Sequence, residues 1–425
     1  MLRELPPIKV DALVIGHGAS GLMAASALAS QNNNVLVVGK GATATSMSTG
    51  CISYIRKDIL RQERGAIDLE ALARSVHPFN DIMERGSLAL EEVLLQVSSF
   101  FQRSLSDQGL EMTDDAFHFF DMLTNAGTMY SCSIAPSFTA SGRLDRLREG
   151  SLALLGIEGH RDLDPRLVAA MCAGHVDGVR VRPYWRKLDC MGHGGMTATE
   201  AAARFKNGGT QELIKTISDL EEDSVAIPPL FGLQSVHKGM SELCSESEKN
   251  VFELVTPMSL PGLRLQDAME RSAVGHGCHL MKNHLVTRLE VKRERAVSAL
   301  IETPTRRQAV SFNSLILATG DLVGGGLALA GREVVDPFST FKVGWFGKTE
   351  PLPGQTRYDA AMRQVVEAGY LVTHEMRLMT KEGRPFENAF GAGSTLASFS
   401  FPTGVGLGGE LLTAWIAAEY AKEGS

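Results

Sequence analysis

The sequence predicts an α/β fold: a discontinuous Rossmann-type domain carrying an inserted α/β lobe. Three observations predict it. Near the start, Asp11–Gly21 reads as a buried strand running into Gly16-His17-Gly18-Ala19-Ser20-Gly21 and then a helix. Near the end, Phe390-Gly391-Ala392-Gly393-Ser394 and Gly404-Val405-Gly406-Leu407-Gly408-Gly409 lead into a second helix. At 425 residues the chain is too long for one simple core, so two lobes are expected. The first unit takes residues 1–75 plus 263–425, and residues 76–262 form the inserted lobe.

The elements follow in order. Residues 10–16 are an apolar run broken only by Asp11. Gly18–Ser30 is a small-residue helix, in which Ala24, Ala25, Ala27 and Ala29 allow close packing on a sheet. Val35–Val38 is the next buried strand, which completes β-α-β. Much of 65–125 reads as helical, with apolar spacing at Leu88, Leu90, Val93, Leu94 and Val97. In the inserted lobe, Ser151–Ile157 is a strand. Asp164-Pro165 starts a helix, with Asp as cap and Pro at the first helical position. Val179–Arg182 is a short strand, Thr199–Phe205 and Thr210–Leu220 are helices, and Val225–Leu230 and Val251–Val255 are strands. From residue 263 the first unit resumes with an amphipathic helix, Leu263–Val274. A meander follows at His284–Val291, Ala296–Glu302 and Ala309–Phe312, and then the strand Leu315–Gly320. Residues 335–385 form a second, smaller excursion, and Glu410–Ala421 is the last helix.

Composition narrows the function classes. Apolar content of 44% and charge of 21% fit a globular enzyme rather than a disordered chain. A net charge of -7 leaves no broad basic footprint, so nucleic acid is not an expected partner. The six cysteines are scattered without C-x-x-C, which excludes a zinc ribbon or an iron–sulfur ligand run and suits free thiols in a reducing compartment. No metal site is expected. The N-terminus lacks the regions of a signal peptide, and no uninterrupted apolar stretch is long enough to span a membrane.

The glycines carry the chemistry. Gly16 permits the tight turn, Gly18 lets backbone approach a phosphate beside Ser20, and Gly21 allows helix–strand packing. After the second strand an acid normally holds the adenosine ribose; here the residues are Gly39-Lys40-Gly41. That gap argues against ordinary NAD binding, weakens a standard FAD assignment and leaves FMN open; Lys40 with Gly41 becomes a candidate phosphate contact, or Lys40 is simply solvated. Thr45-Ser46-Met47-Ser48-Thr49-Gly50-Cys51, with Ser46, Ser48, Thr49 and Gly50 as the candidate contacts, suits a loop laid along phosphate and ring, or a plain turn cluster.

Together the two ends resemble flavoproteins of the glutathione-reductase type. That resemblance places Val286 of the meander against an adenine ring and brings Thr319 and Gly320 close to the nucleotide. Gly393 and Ser394 fall at the second flavin fingerprint, with Ser394 where an acid usually stands. Gly406, Gly408 and Gly409 open a helix whose N-terminus would stabilise negative charge on reduced flavin. No catalytic base is assigned. His193 in Met191-Gly192-His193-Gly194-Gly195 is a candidate, as are His160, His175, His276 and His374; each also fits a structural or surface role. Arg180, Arg182, Arg186, Arg332 and Arg377 are available for a phosphate-bearing substrate.

The chain further resembles the B-type flavoprotein subunit of anaerobic glycerol-3-phosphate dehydrogenase. The carriers are the Gly16–Gly21 turn, the missing acid at Gly39-Lys40-Gly41, and Ser48-Thr49-Gly50 before Cys51. Further along they are Leu155-Gly156-Ile157, Pro228–Leu233, Ser259–Leu265, Ala318-Thr319-Gly320, Gly324-Gly325-Gly326, Glu387–Ser394 and the glycines of 404–409. The resemblance implies a flavin, usually assigned as FMN in that family, whereas the phosphate-binding turn favours FAD. It also implies a small-molecule substrate, glycerol 3-phosphate, and two partners: the catalytic A-type flavoprotein of the same complex, and an iron–sulfur protein reaching the quinone pool. The expected location is cytoplasmic, peripheral to the inner membrane through those partners. A stand-alone flavin dehydrogenase or reductase of another small acid, and a non-catalytic scaffold, are the alternatives.

Overall fold

A computed structural model describes residues 3–54, 90–113, 117–147, 150–174, 176, 178–192, 194–331, 333–344, 367–399 and 406–423. Strand β1 (Ala12–Ile15), helix α1 (Ala19–Ala29) and strand β2 (Val35–Gly39) open the chain. Helix α2 (Leu90–Ser106) precedes a hairpin of β3 (Phe120–Leu123) and β4 (Met129–Cys132). Next come β5 (Ser151–Ile157), α3 (Pro165–Cys172), β6 (Arg180–Arg186), α4 (Ala198–Phe205) and α5 (Gly209–Ser218). They are followed by β7 (Ser224–Ile227), α6 (Val236–Ser247) and β8 (Asn250–Glu253). Helix α7 (Leu260–Gly275) leads to β9 (His279–Lys282), then to β10 (Leu285–Lys292), β11 (Arg295–Glu302), β12 (Arg306–Ser311) and β13 (Ser314–Leu317). Strands β14 (Arg377–Met379) and β15 (Pro385–Gly391) and helix α8 (Gly406–Glu423) close the chain.

Three sheets organise these elements. The central one has six strands in the order β9-β2-β1-β13-β15-β14, all pairs parallel except β15 with β14. Its inner strands are buried on both faces, which is why they read as unbroken apolar runs. Helix α1 is buried along its whole length because it packs on the sheet and also against α7 and α8. It therefore needs small residues on every side rather than a polar face. The meander β10-β11-β12 forms a second sheet, joined by the short segments Arg3–Glu4 and Ile8–Lys9.

The third sheet is parallel, in the order β8-β7-β5-β6, and is built from residues between 151 and 253. Its first helix starts as the residue types dictate: the Asp164 carboxylate accepts from the Arg166 and Leu167 N–H groups at 3.0 and 3.3 Å, and Pro165 opens the helix. A buried ion pair ties this sheet to α7. The Arg264 guanidinium donates twice to the Glu253 carboxylate, at 2.5 and 3.0 Å, and once to the Phe231 carbonyl at 2.6 Å. Both side chains are almost wholly withdrawn from solvent.

The structure differs from the sequence expectation at α6 (Val236–Ser247), which was not expected, and at a stretch expected to be helical. Residues 117–132, partly expected to be helical, form the β3–β4 hairpin. Gly127 at φ +77° turns the chain, and the Asp121 carboxylate accepts from the Ser131 hydroxyl across it. Residues 65–89 of the same expectation lie outside the described residues.

Candidate cofactor-binding site

In a parallel sheet the ligand crevice forms outside the carboxyl ends of the strands, where the strand order reverses. Here β1 has β2 on one side and β13 on the other, so the reversal falls at Gly16. A cavity of about 690 Å³ opens at that edge, within the size range of cofactor sites. Its wall collects residues from the ends of four adjacent strands: Val38 within the last residues of β2 and Lys40 after it, Gly16–Ser20 after β1, Ala318–Gly320 after β13, and Ala392 with Ser394 after β15. Four strand ends span roughly 14 Å at the usual spacing. Residues 284–287, at the start of β10, extend the wall beyond β2.

The phosphate-sized part lies at the start of α1. No side chain of its capping residue closes this helix, since that residue is Gly18. The Ala19 N–H is taken by the Thr45 hydroxyl at 2.8 Å, and Gly18, Ala19 and Ser20 face the cavity. A Cβ on Gly18 would enter the cavity with only the Thr45 hydroxyl oxygen near it, at 3.5 Å. Gly16, by contrast, is packed: at φ +114° its Cβ would overlap the Ala318 carbonyl. The first glycine therefore serves the turn and the second leaves room for a ligand.

Gln266 of α7 fixes the two loops that flank this point. Its amide nitrogen donates to the His17 carbonyl and to the Glu270 carboxylate, each at 2.9 Å. Its amide oxygen accepts from the Thr43 hydroxyl at 2.7 Å. His17 itself is buried over Gly39, and burial holds its imidazole below the usual pKa. Glycine is required at 39 because a Cβ there would run into the His17 ring.

The far end of the cavity is acidic. Asp321 follows β13, and its carboxylate accepts from the Gly324 N–H at 2.8 Å. Glu410, the fifth residue of α8, is buried in the wall and hydrogen-bonded to Ser394. Burial, reinforced by the negative charge of Asp321 and opposed by Ser394, pushes its carboxyl up to about 7.

Of the sequence candidates, Gly16, Gly18, Ser20, Lys40, Gly41, Val286, Thr319, Gly320 and Ser394 line the cavity. Gly21 lies behind it, against the Gly16 carbonyl. Ser46, Ser48, Thr49 and Gly50 are not in the wall. They build the turn instead: Ser46 donates to the Thr43 carbonyl at 2.6 Å, Ser48 accepts from the Gly50 N–H at 3.2 Å, and Thr49 donates to the Tyr130 hydroxyl at 3.2 Å. From that loop the cavity takes Thr45 and Met47. Gly393, at φ +77°, packs on Ser20 behind the wall. Gly406, Gly408 and Gly409 are also outside the wall; Gly408 packs on Ser53 and Tyr54, and the residue α8 contributes is Glu410.

None of the described candidate bases or arginines reaches the cavity. His160 is buried with its ring against the Pro229 carbonyl at 3.2 Å, and His276 stacks on Phe100. Arg182 pairs with Glu221 and Glu222, and Arg377 with Glu375. His175, His193 and Arg332 lie outside the described residues. Among those described, no cluster of His, Cys, Asp and Glu suits a metal ion, and no helix is long and apolar enough to cross a membrane. The sequence reading missed His17, Thr43, Asp321 and Glu410, and it named Thr45 only as part of the hydroxyl-rich loop. Only Glu410 carried a signal: an acid directly after a glycine-led helix start, in a chain that lacks one at 394.

Residues 11–71 match the FAD binding domain family. The B-type protein of anaerobic glycerol-3-phosphate dehydrogenase from Actinobacillus succinogenes is 23% identical, over 98% of this chain and 99% of that protein. The protein of the same name from Pectobacterium atrosepticum is 24% identical, over 98% and 100%. The 3-ketosteroid delta1-dehydrogenase structure from Sterolibacterium denitrificans shares 11% identity, covers 98% of this chain and all of that one, and has a TM-score of 0.45, too distant to bear on the site. The matched domain makes the cofactor a flavin, with FAD favoured. The cavity fits it: open space beyond Gly18 and Gly41, a volume of about 690 Å³, and a start of α1 that Gly18 leaves uncapped beyond the Ala19 N–H, which Thr45 takes.

Proposed function

We propose that the chain is the flavin-binding B-type component of an anaerobic glycerol-3-phosphate dehydrogenase. In this reading it works with a catalytic A-type flavoprotein and an iron–sulfur protein that passes electrons to quinone. The observation that supports it most is similarity from end to end: relatives bearing that name cover 96–98% of the chain. Those relatives also match the inserted lobe, so the resemblance is not confined to the nucleotide site.

Each part of the wall then has a role. Gly16, Gly18, Ser20 and the first turn of α1 hold the diphosphate. Lys40, Gly41 and Val286 take the adenosine side, where a cation stands in place of the missing ribose acid. Thr319, Gly320 and Ser394 take the ribityl side. Gly21 and Gly393 serve by close packing, and Gly406, Gly408 and Gly409 set the start of α8. When bound, the flavin supplies acceptance of two electrons and their release one at a time. The chain's own residues bind it, orient it and exclude water. The discontinuous domain (1–75 plus 263–425) carries this site, and the inserted lobe (76–262) stands beside it. His193 remains the candidate to test as a base.

The test is reconstitution with both partner proteins. Addition of glycerol 3-phosphate without oxygen should bleach the visible flavin absorbance of this chain, and a quinone should restore it. Bleaching by a different small acid in the isolated chain would overturn this reading in favour of a stand-alone dehydrogenase. A folded chain that takes up no flavin would leave a scaffold.

A further inference from the structure

The end of the cavity beyond β13 and β15 holds a group that the flavin reading has not used. Glu410 is buried, with 6% of its surface exposed, yet it forms part of the cavity wall. It comes from α8 and reaches the turn after β15, where its carboxyl meets Ser394. The architecture makes room for it. Gly393 sits at φ +77°, and a Cβ there would come within 3.5 Å of the Glu410 side chain. One helical turn further on, the Thr413 hydroxyl accepts from the Gly393 N–H at 2.9 Å and donates to the Gly409 carbonyl at 2.8 Å. This clamp holds the β15 turn against the first turns of α8. Glu410 and Ser394 are thereby presented together to the same space.

Resting on the flavin reading above, the geometry points to Glu410 as a cofactor-binding residue: it supplies from helix α8, in its protonated form, the carboxyl that the β15 turn lacks at Ser394, and hydrogen-bonds the flavin on its ribityl–diphosphate side. A neutral acid is the form that suits this place. A carboxylate there would face both Asp321 and the phosphates, and like charges in a buried site repel strongly. Among the described residues, Asp321 is the one charged neighbour acting on it. Ser394, Ser20 and Thr413 are uncharged, α1 has no acidic residue in its first turn, and β13 carries no charge. On α2, which also packs on α8, Glu91, Glu92 and Arg103 are exposed. Glu410 therefore gives up its proton as the pH rises through neutrality. Flavin then loses a hydrogen-bond donor and gains a repulsive neighbour.

The experiment titrates the flavin-free full chain with FAD, followed by quenching of flavin fluorescence, at about pH 6 and about pH 8. The wild type should bind more weakly at the higher pH, by up to about tenfold per pH unit above neutrality. Glu410→Gln, which keeps a donor and cannot ionise, should bind with little dependence on pH. Glu410→Leu should bind at least tenfold more weakly than the wild type at about pH 6, should show little further change at about pH 8, and adding Ser394→Glu to it should recover part of the loss at the lower pH. Should Glu410→Leu fail to fold, the wild-type and Glu410→Gln profiles decide alone. Equal pH profiles for those two proteins would overturn the assignment while leaving the flavin site intact. A wild type that binds no flavin at any pH would sink the flavin reading itself, and this inference with it.

Discussion

Replacing Gly18 by alanine separates ligand binding from folding. Gly18 has φ -75° and ψ -172°, an extended conformation open to any residue. Its new methyl would meet one atom, the Thr45 hydroxyl oxygen at 3.5 Å, an ordinary contact. The cost to the flavin-free protein should be below about 1 kcal/mol, the usual penalty for alanine at a helix cap. The same methyl projects into the cavity where a phosphate would approach the N–H groups of α1. Loss of one or two hydrogen bonds to a charged group is worth ~2–4 kcal/mol, or from tens-fold to nearly a thousand-fold in Kd. Urea unfolding of the flavin-free chain and FAD titration measure the two quantities. Two controls bracket the result. Gly16→Ala should damage folding itself, through φ +114° and collision with the Ala318 carbonyl, whereas Gly41→Ala, with no atom within 4 Å of its Cβ, should leave stability unchanged. A Gly18→Ala protein that keeps wild-type FAD affinity would refute the placement of the diphosphate at α1.

Three further predictions follow from the same contacts. Gln266→Leu removes the bridge between the His17 and Thr43 loops and strands the buried His17 carbonyl. It should cost about 1–3 kcal/mol in urea unfolding and weaken FAD binding several-fold in titration. Arg264→Met leaves the Glu253 carboxylate buried and unpaired and should cost roughly 3–5 kcal/mol, most of it regained in the double replacement with Glu253→Leu; an additive double mutant would contradict the pairing. The Glu410 carboxyl has a folded pKa raised from 4.5 to about 7, so it contributes most below pH 4.5, and that contribution is lost as pH rises towards 7. The gap in unfolding free energy between wild type and Glu410→Gln, both flavin-free, should therefore change by about 3 kcal/mol across that interval, and no change would show that the carboxyl is not buried as described.

The parts of the fold legible in sequence are those whose residues answer to one local rule. Strands β1, β2 and β13 are buried on both faces and announce themselves as apolar runs. The start of α3 is written in Asp164-Pro165. The glycine turn predicts its own crevice, and nine of the proposed contacts line it. What escaped depends on distant partners. Thr45 lines the cavity while its neighbours Ser46, Ser48 and Thr49 turn away, and nothing in a run of small hydroxyl residues tells one from the next. Gln266 lies 249 residues from His17 in the chain, so its bridging role exists only once α7 packs beside α1. The helix α6 was not expected because its apolar residues, Val236, Met240 and Leu243, are interleaved with polar ones and a glycine, and packing against α5 and β8 supplies what propensity does not.

The grip of both chain ends on one flavin can be measured directly by equilibrating the flavin-free, full-length chain with FAD, removing the excess, and determining the amount and mass of what remains bound. One FAD per chain is expected for the wild type, and a sharp reduction for Gly18→Ala, with its urea unfolding close to that of the wild type. A well-folded wild-type chain that retains neither FAD nor FMN would contradict that grip.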